Sequence, residues 1–205
     1  MSLEEGAYVY LRNGEPTRVK ETWVRQQQDD GSWRIESERF AGDVHMAVSA
    51  RGSGRRVRDF AVTWAGKGVG KFAVDYRPKG DEIAVIRWQD SRATRLAPIT
   101  GSPLLSPLMR IFAGPLIAEI LESGGQAQVL VPDIRDTYDA ENLLRPLVSE
   151  RSARLIEHDG DSRVVAYEGD QYGSGTRFWL GADDLLERYE WRQSEEEFWE
   201  VSLER

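Results

Sequence analysis

The side chains of this sequence that could do chemistry are few and scattered. There are two histidines, His45 and His158, the residue type that first suggests general acid or base work. His45 falls in an alternating run, DVHMAVS, on the face opposite Val44, Met46 and Val48, and His158 precedes the turn Asp159-Gly160-Asp161. Nothing in the spacing ties either imidazole to a nucleophile or an orienting carboxylate, and two histidines 113 positions apart make a poor metal-ligand pattern. Both read as surface or rim residues. The run Ala65–Phe72 (AGKGVGKF) has the glycines and lysines of a phosphate loop but not their order. Ala65 stands where the first glycine belongs, Phe72 follows Gly70-Lys71 where a hydroxyl residue is needed, and a strand rather than a helix comes next. A glycine-rich hairpin is expected there. Asp133, Asp136, Asp139 and Glu141 offer oxygen ligands of the kind calcium takes, but without EF-hand spacing or its glycine they read as a solvated acidic loop. Arg87 interrupts the apolar face of Ile83 and Val85, either as an exposed strand-face arginine or as the polar end of a cavity that meets a carboxylate or phosphate.

These residues nominate no catalytic group, no metal site and no cofactor. What stands out instead is apolar. Seven tryptophans are spread over the chain, and an apolar segment, Pro103–Leu121 (PLLSPLMRIFAGPLIAEIL), sits mid-chain. Indole rings spread over many strands fill a wide core or line a hydrophobic groove. The candidate ligand-binding residues on the strands are Trp64, Phe72, Tyr76, Trp88, Trp179 and Trp191. Those on the mid-chain segment are Leu108, Phe112 and Leu116.

The elements that must position them are mostly strands. Phe72, Val74 and Tyr76 alternate with Lys71, Asp75 and Arg77, and Phe60, Val62 and Trp64 alternate in the same way. This is the period of a half-buried antiparallel strand. Turn signals such as Asn13-Gly14, Lys79-Gly80-Asp81 and Gly173-Ser174-Gly175 punctuate the runs. Strands are expected near 7–12, 17–28, 32–40, 43–51, 55–65, 69–78, 82–89 and 92–97. Six more are expected near 126–131, 149–158, 162–170, 175–180, 185–193 and 197–204. Between them the apolar segment predicts a helix over 106–123, about 27 Å long. Ser106 would be its N-cap, Pro107 its first residue and Gly124 its C-terminal stop, with a kink or lid hinge at Gly114-Pro115. Asp139–Arg145 is expected to add one helical turn, and Val131–Tyr138 to mark the boundary between halves.

The predicted architecture is one domain, residues 1–205: a β-meander over 7–97, a helical plug over 103–123 and a second β-meander over 126–204. A long antiparallel sheet twists and curls. Around one apolar helix it should form a strongly curved half-barrel or incomplete barrel, mainly β. The segment is not a membrane span, because Arg110, Glu119 and Glu122 charge it and Pro115 interrupts it. A net charge of −8 argues against nucleic acid, and the lack of cysteine excludes disulfides and thiol chemistry. The N-terminus has neither the basic nor the apolar stretch of a signal peptide. A cytoplasmic location is therefore expected, a periplasmic or secreted one only if a leader has been removed.

The runs Pro146–Tyr167 and Thr176–Glu190, with the opening strand Tyr8-Val9-Tyr10-Leu11-Arg12-Asn13-Gly14, resemble bacterial half-barrel proteins of the lipoprotein-carrier-like group. That resemblance implies a curved antiparallel sheet with helix cover and a hydrophobic cavity, and it carries over no catalytic residue. The function expected is non-catalytic binding or carriage of a hydrophobic or amphipathic, lipid-like small molecule between sheet and helix. The alternatives are an enzyme with its site in the same cavity, using His45 or an acid as base, and a plugged structural or interaction scaffold.

Overall fold

The computed structural model describes residues 1–169, 171–173 and 175–205, so Ser174 of the turn expected at 173–175 and Asp170 at the end of an expected strand lie outside the described residues. The first half of the chain is a continuous meander: β1 (Ser2–Arg12), β2 (Glu15–Gln27), β3 (Ser32–Ala41), β4 (Val44–Ser53), β5 (Arg56–Gly66), β6 (Gly70–Lys79), β7 (Glu82–Gln89) and β8 (Arg92–Arg95). Two short pieces, β9 (Ile99–Thr100) and β10 (Leu104–Leu105), lead to a 3-10 turn, Arg110–Phe112, and to helix α1 (Ala113–Glu122). The second meander is β11 (Gln126–Pro132), β12 (Pro146–Asp159), β13 (Ser162–Glu168), β14 (Arg177–Leu180), β15 (Leu186–Arg192) and β16 (Phe198–Glu204).

All these strands form one sheet in the order β10-β11-β12-β13-β14-β15-β16-β1-β2-β3-β4-β5-β6-β7-β8, with β9 beside β7. The pairings are antiparallel except β10 with β11, and among the described residues none joins β8 back to β10, so the sheet is not closed into a barrel. The two meanders meet where the chain ends meet: β1 pairs with β16 from Ala7↔Glu204 to Arg12↔Trp199.

One face of the sheet is apolar because the sequence alternates. Met46, Val48 and Ala50 of β4, Phe60, Val62 and Trp64 of β5, and Phe72, Val74 and Tyr76 of β6 are all buried, and the residues between them are more exposed. A slip of one residue would turn every one of these side chains to the wrong face, so the pattern fixes register as well as strand. Large indoles lie over glycines of the neighbouring strand, Trp23 over its partner Gly6 and Trp33 over its partner Gly52, where a Cβ would collide with the ring.

The helix is shorter than its sequence suggests. Residues 106–109 are not helical, since Leu104–Leu105 add a parallel strand to Val129–Leu130 and the Ser106 amide donates to the Leu130 carbonyl at 2.9 Å. Leu108 then takes a left-handed conformation (φ 74°) and Met109 an extended one. Ser106 and Pro107 are therefore not a helix start. Gly114-Pro115 is neither kink nor hinge: it lies in the first turn of α1, where the amide that proline lacks has no helical partner to lose. Gly114 is required there because a Cβ would run into the backbone at Asp184–Leu186. The far end is as expected, with Gly124 (φ 92°) and Gly125 (φ 86°) stopping the helix and their amides returning to the Leu121 and Ile120 carbonyls. α1 packs on β11, β12 and β15 of one meander and on β5 of the other, with Ile117, Ala118 and Ile120 fully buried. Arg56 of β5 holds Glu119 of α1 at 2.5 Å, and Arg55 binds both Glu122 and Asp184.

Residues 133–145 do not divide the halves, because they connect β11 to β12, which pair with each other. Asp139 caps a tight turn there through the amides of Glu141 and Asn142, and no helix forms. Among the described residues no helix is long and apolar enough to cross a membrane.

Two substitutions test this packing. Gly114→Ala would gain about 1 kcal/mol on helix propensity alone. Because its Cβ meets backbone that cannot yield, it is expected instead to lose about 1–3 kcal/mol in urea unfolding. Phe112→Ala, at a buried ring tilted against Trp33, is expected to lose about 3–5 kcal/mol. A stabilised Gly114→Ala protein would show that α1 does not press on the β14–β15 turn.

Candidate functional site

The inward face of the first three strands is not wholly apolar. In β2 the buried Glu21 stands between Val19 and Trp23, and in β3 Arg39 continues the line of Trp33, Ile35 and Ser37. The 3-10 turn brings Arg110 to the same place. Glu21 accepts the Tyr10 hydroxyl at 2.5 Å through Oε2 and the Arg110 amide at 2.5 Å through Oε1. The Arg39 guanidinium stands 3.8 Å from Oε2. The Arg110 guanidinium lies over the Tyr189 ring, 4.9 Å from its centroid, and its Nε is shielded from solvent without a hydrogen-bond partner among the described residues.

Burial sets the charge states. It pushes the Tyr10 phenol well above its ordinary value, and the Glu21 carboxylate adds to the effect. Burial likewise raises Tyr8, Tyr76 and Tyr189, so these phenols stay neutral, and Tyr8 and Tyr76 donate to the carbonyls of Leu186 and Leu144. Burial opposes the charge on Arg110, but the charged groups around it, the Glu21 carboxylate among them, outweigh that and hold the guanidinium protonated.

Two cavities adjoin at this network and share Arg39, Arg110, Ile134 and Gln171 in their walls. One, of about 330 Å³, is an aromatic lobe lined by Met46, Trp64, Trp191 and Trp199. The other, of about 170 Å³, lies along α1, with Leu108, Leu116, Ile117 and Phe178 in its wall. Beside them Tyr172 makes edge contacts with Phe178, Tyr189 and Trp191. A third cavity of about 180 Å³ opens on the other side of α1, against Trp33, Phe112 and Leu116.

Of the residues the sequence nominated, Trp64 and Trp191 come together in the aromatic lobe, Leu108 and Leu116 in the helix lobe, and Phe112 and Leu116 in the third cavity. Phe72 and Tyr76 are packed in the core, Phe72 edge-on to Trp64 and Tyr76 stacked on Phe60, with its hydroxyl on the Leu144 carbonyl. Trp88 is next to the buried Arg87, on the opposite face of β7. Trp179 lies under Arg188, with its Nε1 donating to Asp159. Neither Trp88 nor Trp179 lines these three cavities. Arg87 is buried and donates to the carbonyls of Leu143 and Ala140, so it supports the 139–145 turn rather than facing a headgroup. His45 stacks on Phe40 and His158 is exposed. Asp133 is held by Arg135, which keeps its carboxyl below the usual range.

Glu21, Arg39 and Arg110 were not nominated. The signal was there: each is a charge in an apolar line. What is absent from the one-dimensional pattern is their meeting, which the sheet order creates.

Glu21→Ala is expected to cost about 3–5 kcal/mol in urea unfolding, since it strands the buried Tyr10 hydroxyl, the Arg110 amide and the Arg39 guanidinium. Glu21→Gln keeps an acceptor and should cost less. Equal, small losses for both would show that the carboxylate is dispensable. The raised phenols carry a pH signature. An unfolded tyrosine ionises near pH 10, the folded ones only higher, so above pH ~10 the unfolded state binds fewer protons and stability falls as pH rises. Ultraviolet titration should show these four phenols ionising together with unfolding. Free ionisation of all tyrosines near pH 10 in folded protein would contradict their burial.

Comparison with protein-family models, curated proteins and solved structures gives no match to this chain, so the functional reading rests on this geometry.

Proposed function

We propose that this protein binds or carries a hydrophobic or amphipathic, lipid-like small molecule without catalysis, in the two-lobed cleft of which one lobe lies between the sheet and α1. The observation that carries the reading is the two-lobed cleft itself, with aromatic and aliphatic walls and a few polar groups gathered where the lobes meet. The aromatic lobe, at about 330 Å³, falls at the small end of the range for ligand cavities.

The reading includes a curled sheet around a central helix, as in the lipoprotein-carrier-like half-barrels. One geometric argument supports that curl. From β12 through β13–β16 and β1–β4 to β5 is nine inter-strand steps. In a flat sheet that is about 43 Å at ~4.8 Å per step. A helix is only about 10–12 Å across, yet α1 packs on both β12 and β5. The bonds of Tyr76 and Arg87 to the 140–144 carbonyls draw the two ends of the sheet toward each other in the same way. The enzyme alternative has less to stand on: both oxygens of Glu21 are already engaged, and neither histidine lines the cleft.

The test is organic extraction of purified protein with mass spectrometry of the extract, followed by titration of the delipidated protein with an apolar probe. A co-purified lipid, or saturable binding that shifts tryptophan emission, is expected. Val44→Trp, which fills the aromatic lobe from a strand position, should weaken binding at least about tenfold and keep a cooperative fold. Absence of both lipid and probe binding at high micromolar concentration would leave the plugged scaffold as the better account.

A further inference from the structure

The cleft has a polarity that an apolar guest would not use. The charged side chains in the wall of the aromatic lobe, among the described residues, are both arginines, Arg39 and Arg110, in a chain whose net charge is −8. The same two line the helix lobe, so they stand at the junction. Their shared counter-charge is Glu21, and its oxygens already accept from Tyr10 and the Arg110 amide. The gap of 3.8 Å from Arg39 to Glu21 is an ion pair rather than a hydrogen bond. Arg110 keeps a shielded Nε with no acceptor among the described residues. Among the described residues, two guanidinium groups facing one occupied carboxylate leave an excess of positive charge, and the Arg110 Nε is an unused donor shielded from solvent. That arrangement is matched by a carboxylate or phosphate, which takes guanidinium donors two at a time.

Resting on the cavity reading above, we infer that the guest is a single-chain amphiphile with an anionic headgroup, a carboxylate or a phosphate monoester. Its head sits at Arg39 and Arg110, and its tail lies among Met46, Trp64, Trp191 and Trp199. Glu21 is a positioning residue: it fixes the Arg110 backbone and sets the rest of the local charge.

The experiment compares dodecanoate, dodecyl phosphate and dodecyltrimethylammonium, each below its micelle concentration, and dodecanol below its solubility limit, with acetate and inorganic phosphate as tail-less controls. Binding to the delipidated full chain is read by calorimetry and tryptophan emission. The two dodecyl anions should bind at least about tenfold more tightly than dodecanol, as a charge-assisted hydrogen bond or two would give. The cation should bind weakest, and acetate and phosphate should be far weaker than their dodecyl counterparts. Arg39→Met and Arg110→Met should each abolish most of the anion preference and leave dodecanol affinity within about twofold, because the apolar stem is retained. If Arg110→Met fails a near-ultraviolet circular dichroism check of folding, Arg39→Met, on a strand and partly exposed, decides the matter.

Equal affinity for dodecanol and dodecanoate, or tighter binding of the cation, would overturn the headgroup assignment and leave the cavity reading standing. So would an anion preference that survives the arginine substitutions. Acetate or phosphate binding as tightly as the dodecyl forms would overturn the tail assignment. Failure of every amphiphile, dodecanol included, would sink the cavity reading itself.

Discussion

The pairing of the first strand with the last is the constraint on which the other features depend. β1 is hydrogen-bonded to β2 on one side and to β16 on the other, so the ends of the chain are sewn together in mid-sheet. Without that seam there would be two meanders, each with two exposed edges and a half-covered apolar face. With it, Tyr8 and Tyr10 stand between the faces of both halves: Tyr8 donates to the Leu186 carbonyl in β15, and Tyr10 to Glu21 in β2. The entropy of closing so long a loop grows only slowly with its length, so the seam is tolerable thermodynamically. It is slow kinetically, because contacts so distant in sequence form late.

Glu21 is the second tie, and it follows from the first. Its partners come from β1, from β3 and from the turn before α1, which are separate in sequence and adjacent only in the assembled sheet. A buried carboxylate tolerates little displacement, since losing one partner leaves a desolvated charge. The network therefore fixes where the segment after β10 crosses the sheet, and with it where α1 starts. Gly114 sets the depth from the other side, where α1 presses on the β14–β15 turn. Ile111, Ile117 and Ile120 are fully buried, so the helix is held by apolar contact along its length and by polar contacts at its approach and in its last turns.

Most strands were legible in the sequence because a period of two is unambiguous when turns punctuate it, as in Phe60–Val62–Trp64 and Phe72–Val74–Tyr76. The helix was legible in kind and misplaced at its start. Leu104–Leu105 is an apolar pair that reads equally well as helix or strand, and Ser106-Pro107 has the chemistry of a cap. Only the unpaired edge of β11, an object of tertiary structure, makes strand the better use of those residues. The aromatic lining was half legible. Trp64 and Trp191 could be nominated from their strands, but whether Trp88 or Trp179 faced in or out depended on the face each strand turned to the core. The arginine pair was not legible, because Arg39 and Arg110 are 71 positions apart along the chain and meet only through the sheet order.

Energetics bears on why such a pair would be kept. Replacing buried ionic groups by apolar side chains of similar size is often neutral or stabilising, by about 1–4 kcal/mol. A protein that needed only a filled core would do as well or better with apolar side chains at positions 21, 39 and 110 together. The protein's own groups offset part of the cost through the Tyr189 ring and Glu21. On the reading proposed above, the guest's headgroup supplies the rest, so the cleft is the place where stability is traded for recognition. The acidic exterior does not contradict this. At physiological ionic strength surface charges are screened beyond about 8 Å, whereas groups shielded from solvent are screened far less. An approaching anion would meet a weak repulsion outside and a stronger attraction within. Added salt would weaken the repulsion more than the attraction, so the sign of the net charge says little about the sign of the ligand.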